Sequence, residues 1–404
     1  MYLCSRMKIR ALRVVTPLLT FPKPFSFVGP GASLSMCREI AAQGLERVLF
    51  ITDAALLKLG IVDPLADLLQ GLGLVVEVFS EIQPDPGFDV VLQGAARIKG
   101  FKPDAVIAVG GGSSIDAAKA ILLCHANNCH PAKLRGLWLY ALPRKRTLPF
   151  FAIPTTAGTG SEVTIVAIVS DNAAHTKIPI IDPKLVPSMM ALDPKLMASL
   201  PPVITAPTGM DALTHAIEAY ISTLATDETD RYTRMAITSI VRNLPIAYAN
   251  GQNLEARERM AVASCFAGLA FTRAGVGYVH ALSHQLGGLY HVPHGLINAI
   301  VLPHVLEFSK SHCAHRLADL ARIVGVGSSA TSDLDRADAF IALIRQMNQN
   351  MQIPDTVQGL SRNDFDTIIG RAFREAHGTY GVPRYLGRKQ ARELLEKLMP
   401  TQLG

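Results

Sequence analysis

The sequence predicts an α/β N-terminal domain followed by an all-α C-terminal domain, and three observations predict it. Short apolar runs recur between residues 45 and 200: Val48-Leu49-Phe50-Ile51, Leu74-Val75-Val76-Glu77-Val78-Phe79, Ala105-Val106-Ile107-Ala108-Val109 and Phe150-Phe151-Ala152-Ile153. Helical stretches separate these runs, so they read as parallel strands buried on both faces, joined by crossover helices. From about residue 205 the strand signals give out, and segments 205–224, 230–249, 254–273 and 276–289 are long, Ala- and Leu-rich and helical in character.

Between the two characters stands Ser199-Leu200-Pro201-Pro202, where consecutive prolines stop a helix from running through. This divides the chain into an N-terminal extension (1–24), an α/β domain (25–202) and a helical domain (203–404). With 404 residues, 49% of them hydrophobic, the chain has ample material for two cores. The ordinary apolar fraction excludes a disordered, collagen-like or coiled-coil chain. There is no internal repeat, and Pro143-Arg144-Lys145-Arg146 reads as a solvated loop.

A net charge of +6 raises the question of an anionic partner. The excess comes from Arg6, Lys8, Arg10, Arg13, Lys23 and Arg38, all before the first acid at Glu39, and the rest carries 33 basic against 33 acidic residues. A neutral body removes the support for nucleic-acid binding. No apolar run approaches the roughly 18 to 20 residues that span a bilayer, so no membrane helix is expected. Arg10 and Arg13 interrupt the N-terminal apolar stretch and no small-residue cleavage site follows, which disfavours a secretory signal. An organelle-targeting peptide fits the acid-free composition better; a ragged extension, or a start upstream of Met7, is simpler still. Six cysteines in 404 residues, without a C-x-x-C pair, are too few and too scattered for a disulfide scaffold, and a reducing cytoplasm is the default. Cys124 and Cys129 lie near His125 and His130, but no second pair completes a metal site.

Gly110-Gly111-Gly112-Ser113-Ser114-Ile115-Asp116 follows a strand and opens a helix. Glycines let the backbone approach a ligand, and the free N–H groups at a helix start favour a phosphate, so a dinucleotide pyrophosphate would fit. A tight turn with Ser113 or Ser114 as N-cap is the plain alternative. Asp53, at the end of another strand, can accept hydrogen bonds from an adenosine ribose and repel a 2′-phosphate, or can simply cap the next helix. Pro154-Thr155-Thr156-Ala157-Gly158-Thr159-Gly160-Ser161-Glu162 offers small hydroxyl donors after a third strand.

The strongest signal is in the helical half. Asp211 and His215 are four residues apart, as are His280 and His284, and His291 and His294 follow. Residues at this spacing share one helix face. A carboxylate with neutral imidazoles suits Zn²⁺ or Fe²⁺ and does not suit Ca²⁺ or Mg²⁺. The surrounding Ala, Leu and Gly make unpaired titratable groups costly. Spacing alone leaves open which of His280, His284, His291 and His294 bind.

Taken together, residues 110–119, 154–162, 209–220 (G-M-D-A-L-T-H-A-I-E-A-Y) and 277–295 (G-Y-V-H-A-L-S-H-Q-L-G-G-L-Y-H-V-P-H-G) resemble the iron-containing, group III alcohol dehydrogenases, over roughly residues 25 to 380. The resemblance implies an α/β N-terminal dinucleotide-binding domain plus an all-α C-terminal metal-binding domain, an architecture shared with dehydroquinate synthase, with cofactor and metal in the cleft between them. It implies Asp211, His215, His280 and His294 as ligands of Fe²⁺ or Zn²⁺, His284 near the nicotinamide and His291 as a bystander. Asp53, Gly111, Gly112, Ser113, Thr155, Thr156, Thr164 and Lys177 would line the NAD site, with Asp116 supporting the glycine turn. Three features depart from the family pattern: Pro84-Asp85-Pro86 for Pro-Asn-Pro, Ser283 for Ala, and Val382-Pro383-Arg384 for Asn-Pro-Arg.

The expected chemistry is hydride exchange between NAD and a small primary alcohol or diol, or its aldehyde. Asp211 would anchor the metal whose positive charge favours the deprotonated alcohol, and His284 would pass the proton to solvent. Glu218, one turn beyond His215, reads as a support for a ligand or as part of a surface pair. A dehydroquinate synthase-like lyase would need several cations for a phosphorylated, carboxylated substrate, yet between Ala261 and Gly295 only Arg273 is basic. A non-catalytic remnant of the family would have lost ligands. A homodimer or higher homo-oligomer is expected, with no nucleic-acid or membrane partner.

Overall fold

The computed structural model describes residues 2–15, 21–137, 147–172, 176–329 and 331–400, so the basic loop at 143–146 lies outside the described residues. The strands are β1 (Phe25–Val28), β2 (Arg47–Asp53), β3 (Val75–Ile82), β4 (Ala105–Gly110), β5 (Gly136–Leu137), β6 (Phe150–Pro154), β7 (Val166–Asp171), β8 (Thr176–Ile181) and β9 (Met189–Leu192). The α-helices are α1 (Tyr2–Val15), α2 (Ala32–Ala42), α3 (Ala54–Lys58), α4 (Asp63–Gly71), α5 (Phe88–Phe101), α6 (Gly112–Asn127) and α7 (Pro202–Ile221). They continue with α8 (Asp227–Ala249), α9 (Leu254–Ala274), α10 (Tyr278–Tyr290), α11 (His294–Val324), α12 (Asp333–Asn350), α13 (Phe365–Ala376) and α14 (Arg388–Lys397).

The chain divides into two compact units. One comprises Phe21–Leu200 with Gly251–Cys265; the other comprises Met1–Thr20, Pro201–Asn250 and Phe266–Gly404.

In the first unit a six-stranded sheet runs in the order β1-β9-β6-β4-β2-β3, with every pairing parallel. The two central strands are β6 and β4, and every residue of both is buried. Alternate side chains of a strand point to opposite faces. Leu49, Ile51, Val106 and Ala108 therefore join one core with α5 and α6, while Val48, Phe50, Ile107 and Val109 join another with α2 and α4. Two covered faces explain why these runs are apolar without alternation. A three-stranded sheet of β5, β8 and β7 contains the antiparallel β7–β8 pair. The sequence reading lacks β1, β9 and this small sheet. β1 and β9 have four residues each, and Met189-Met190-Ala191-Leu192 contains no β-branched residue.

The second unit is helical. α7 is buried almost all round from Thr205 to Ile221, in keeping with its lack of a polar stripe. The N-terminal extension is not ragged over its described part: α1 buries Ser5 and Ile9, one turn apart, and Ser5 and Lys8 approach Gly378. Among the described residues no single helix is long and apolar enough to cross a membrane.

Candidate active site

Three helices of the helical unit bring four titratable side chains to one point. α7 carries Asp211 and His215, α10 carries His280, and His294 is the first residue of α11. One ligand atom from each lies within 4.8 Å of all the others. Asp211 Oδ1 is 3.9 Å from His280 Nε2 and 3.7 Å from His294 Nε2, and Asp211 Oδ2 is 4.0 Å from His215 Nδ1. Glycine permits this convergence, since a Cβ on Gly295 would lie 2.4 Å from the Pro207 carbonyl oxygen. His291 ends α10 in the left-handed region at φ 53°, is exposed, and stands outside the group.

Glu218 is buried, not part of a surface pair. Its carboxylate accepts from the N–H groups of Gly277 (2.8 Å) and Val279 (2.7 Å) and from His280 Nδ1 (2.6 Å). A carboxylate on one ring nitrogen fixes the tautomer and leaves the other nitrogen with a lone pair for a metal. Burial pushes the His280 imidazole down to about 4, which keeps it neutral.

The donor set fits a cation. Asn298, fully buried one turn after His294, points Nδ2 at Asp211 Oδ1 (2.6 Å), His280 Nε2 (3.2 Å) and His294 Nε2 (3.2 Å). An amide nitrogen carries two protons and here faces three acceptors. The buried Asn298 Oδ1 has no hydrogen-bond partner among the described residues. A divalent ion matches one carboxylate and three neutral imidazoles better than an amide does.

His284, one turn beyond His280, stacks on His294 with ring centroids 5.2 Å apart. Its Nδ1 is 2.6 Å from Glu375 Oε1, an oxygen that also accepts from Tyr380 OH at 2.7 Å. Gln285 Nε2 donates to Glu375 Oε2 at 2.9 Å. Burial opposes ionisation of Glu375, but His284 and the Tyr380 hydroxyl outweigh it and hold the carboxyl below its usual range. Sequence reasoning missed Glu218's three bonds, Asn298 and Glu375, which come from remote parts of the chain.

The residues expected at the cofactor lie in the α/β unit. α6 begins at Gly112 after Gly111, and no side chain caps it, so neither Ser113 nor Ser114 is the N-cap. A Cβ on Gly112 would lie 2.6 Å from Thr159 Cγ2, and one on Gly111 would lie 3.4 Å from Thr156 Oγ1. The glycine turn and the Thr-rich segment are thus packed directly together. Thr155 is buried and its N–H donates to the Gly110 carbonyl at 3.0 Å. Asp53 caps α3 by accepting from the Leu56 N–H at 2.9 Å.

Asp116 is buried and accepts from Ser161 Oγ and the Ile168 N–H, both at 2.9 Å. Fully buried Lys119 donates to the Thr164 carbonyl (2.9 Å), Thr164 Oγ1 (2.9 Å) and the Val166 carbonyl (2.8 Å). The Thr164 hydroxyl therefore faces Lys119 and serves the loop's shape. Lys177 pairs with Asp85 at 2.7 Å, so the acid that departs from the Pro-Asn-Pro pattern is neutralised within the unit.

The sequence model described as iron-containing alcohol dehydrogenase matches residues 24–194, and that of the Fe-containing alcohol dehydrogenase family, C-terminal, matches residues 205–399. The NAD-dependent methanol dehydrogenase of Bacillus methanolicus is 38% identical over 357 residues, covering 88% of this chain and 93% of its own. The NADPH-dependent butanol dehydrogenase of Clostridium saccharobutylicum is 36% identical over 386 residues, covering 93% and 96% respectively. Among solved structures, the alcohol dehydrogenase from Oenococcus oeni superposes with a TM-score of 0.89 at 32% identity, over 94% of this chain and 99% of that one. With both halves matched, the Asp-and-three-His cluster in place and a parallel α/β sheet preceding it, this chain belongs to the iron-containing alcohol dehydrogenase family.

Proposed function

We propose that the protein transfers hydride between NAD and a small primary alcohol or diol, or the corresponding aldehyde. The observation that carries this reading is the convergence of Asp211, His215, His280 and His294 within 4.8 Å, with His280 oriented by Glu218. These four residues would hold Fe²⁺, or Zn²⁺ in its place. When bound, the ion supplies positive charge to the substrate oxygen and the nicotinamide accepts the hydride.

The chain's own residues account for the remaining proton. Alcohol oxidation releases a hydride from carbon and a proton from oxygen, giving aldehyde, NADH and H⁺. His284 is the proposed acceptor of that proton, because its Nδ1 is occupied by Glu375 and its Nε2 is the ring nitrogen left to work. On the cofactor side, the uncapped start of α6 suits a pyrophosphate, with Ser113, Gly111, Gly112, Thr155 and Thr156 around it and Lys177 beside. Asp53 favours NAD over NADP through the carboxyl oxygen that does not cap α3.

A second copy of the chain as partner is supported by β1, an edge strand that exposes Phe25 and Val28. No disulfide joins any two of Cys37, Cys124, Cys129, Cys265 and Cys313, which supports a reducing cytoplasm. The reading is tested by NADH formation on an alcohol panel, with protein stripped of metal and reloaded separately with Fe²⁺ and Zn²⁺. Turnover should require metal and fall to background in Asp211→Ala; equal turnover with and without metal would refute it.

A further inference from the structure

The contact between His284 and Glu375 places a chain of defined hydrogen bonds behind the proposed proton acceptor. Glu375 lies on α13, 91 residues from His284, and is 26% exposed at its side chain against 16% for His284. Both carboxylate oxygens are engaged: Oε1 by His284 Nδ1 and the Tyr380 hydroxyl, Oε2 by the Gln285 amide. A carboxylate saturated by donors accepts and cannot donate, so His284 must contribute an Nδ1–H. Its Nε2 then carries the lone pair. The ring also stacks on His294, with centroids 5.2 Å apart.

We propose that Glu375, itself fixed by Tyr380 and Gln285, is the positioning residue that sets the tautomer of His284 and keeps Nε2 as a proton acceptor. This rests on the role of His284 proposed above. The logic parallels a carboxylate that orients a catalytic imidazole without becoming protonated. With Nδ1–H committed to Glu375, the Nε2 lone pair is the one His284 can present to the hydroxyl of a bound alcohol, in either direction of the reaction. Tyr380 belongs to the same arrangement, because its hydroxyl donates to the Glu375 oxygen that holds the ring.

The test uses the full chain in four forms: wild type, Glu375→Gln, His284→Asn and the double variant, with Tyr380→Phe as a milder probe that removes one hydroxyl. Glu375→Gln is expected to lower kcat about 10- to 100-fold. The KM for NAD and the bound metal per chain should stay at wild-type values. In the His284→Asn background the same change should have no further effect, and Tyr380→Phe should shift kcat in the same direction by less. A readout independent of turnover is ¹⁵N-histidine NMR of the metal-free protein, with the His284 signals identified by their loss in His284→Asn. Wild type should show the Nδ1–H tautomer, and Glu375→Gln should move it towards Nε2–H. Full kcat in Glu375→Gln, where His284→Asn is impaired, would overturn this inference and leave the reading of His284 standing. An unimpaired His284→Asn would sink that reading instead. An Nε2–H tautomer in wild type would overturn the inference whatever the kinetics.

Discussion

Glu218 and His280, 62 residues apart in sequence, share a 2.6 Å hydrogen bond whose carboxylate also accepts the first N–H groups leading into α10. One buried acid therefore aligns a helix start and a proposed ligand together. Glu218→Gln should lower metal affinity about 10- to 100-fold, in line with other carboxylates behind metal-bound imidazoles. Chelator competition would measure it, and excess metal should restore much of the activity.

Asp53 combines a cap with a charge, and two substitutions separate them. Asp53→Ser keeps a capping oxygen and removes the charge; Asp53→Gly removes the carboxylate altogether, at a capping cost of a few tenths of a kcal/mol. Both should raise kcat/KM for NADP relative to NAD. No change in that ratio in either variant would rule out the ribose contact.

The interlock of Gly112 with Thr159 makes a paired prediction. A methyl group at Gly112 meets Thr159 Cγ2 at 2.6 Å, so Gly112→Ala should weaken NAD binding and cost about 1–3 kcal/mol of stability. Adding Thr159→Ala should recover part of both losses, as read by nucleotide titration and thermal unfolding.

Glu162 is buried, and burial raises its carboxyl to about 7 despite the opposing pull of Lys119. A folded-state value above the unfolded one means the native state holds the proton longer. The associated stability is fully present below the ordinary value of 4.5 and is lost as pH rises through about 7. Glu162→Gln should flatten that part of the stability curve relative to wild type in denaturant titrations between those two pH values.

Removing the metal should leave the fold in place. Asn298 Nδ2 offers two protons to the cluster of Asp211, His280 and His294, which partly offsets loss of the ion, so a chelated protein should keep its helical circular dichroism and unfold cooperatively. Asn298→Ala should destabilise that metal-free form by about 1.5–3 kcal/mol, the range for a hydrogen bond to a charged group.

The parts of this protein legible in its sequence were those with a local repeat. β2 and β4 announce themselves as apolar runs because both faces are covered, and Asp211 with His215 announces a face of α7 because four residues make a turn. The hidden parts were made by distant contacts. Glu375 meets His284 across 91 residues, and Asn298 meets Asp211 across 87, so neither has a spacing to detect. Glu218 had the right spacing but an ambiguous meaning, because burial at 3% exposure is a property of the packed helices around it.

The amide of Asn298 has a practical outcome for anyone preparing this enzyme. If the ligands keep their arrangement once the ion is removed, as predicted above, the site would take up whichever transition metal the surroundings offer after synthesis. The specific activity of a purified batch should then track the growth medium and the buffers used, more than any preference written into the polypeptide.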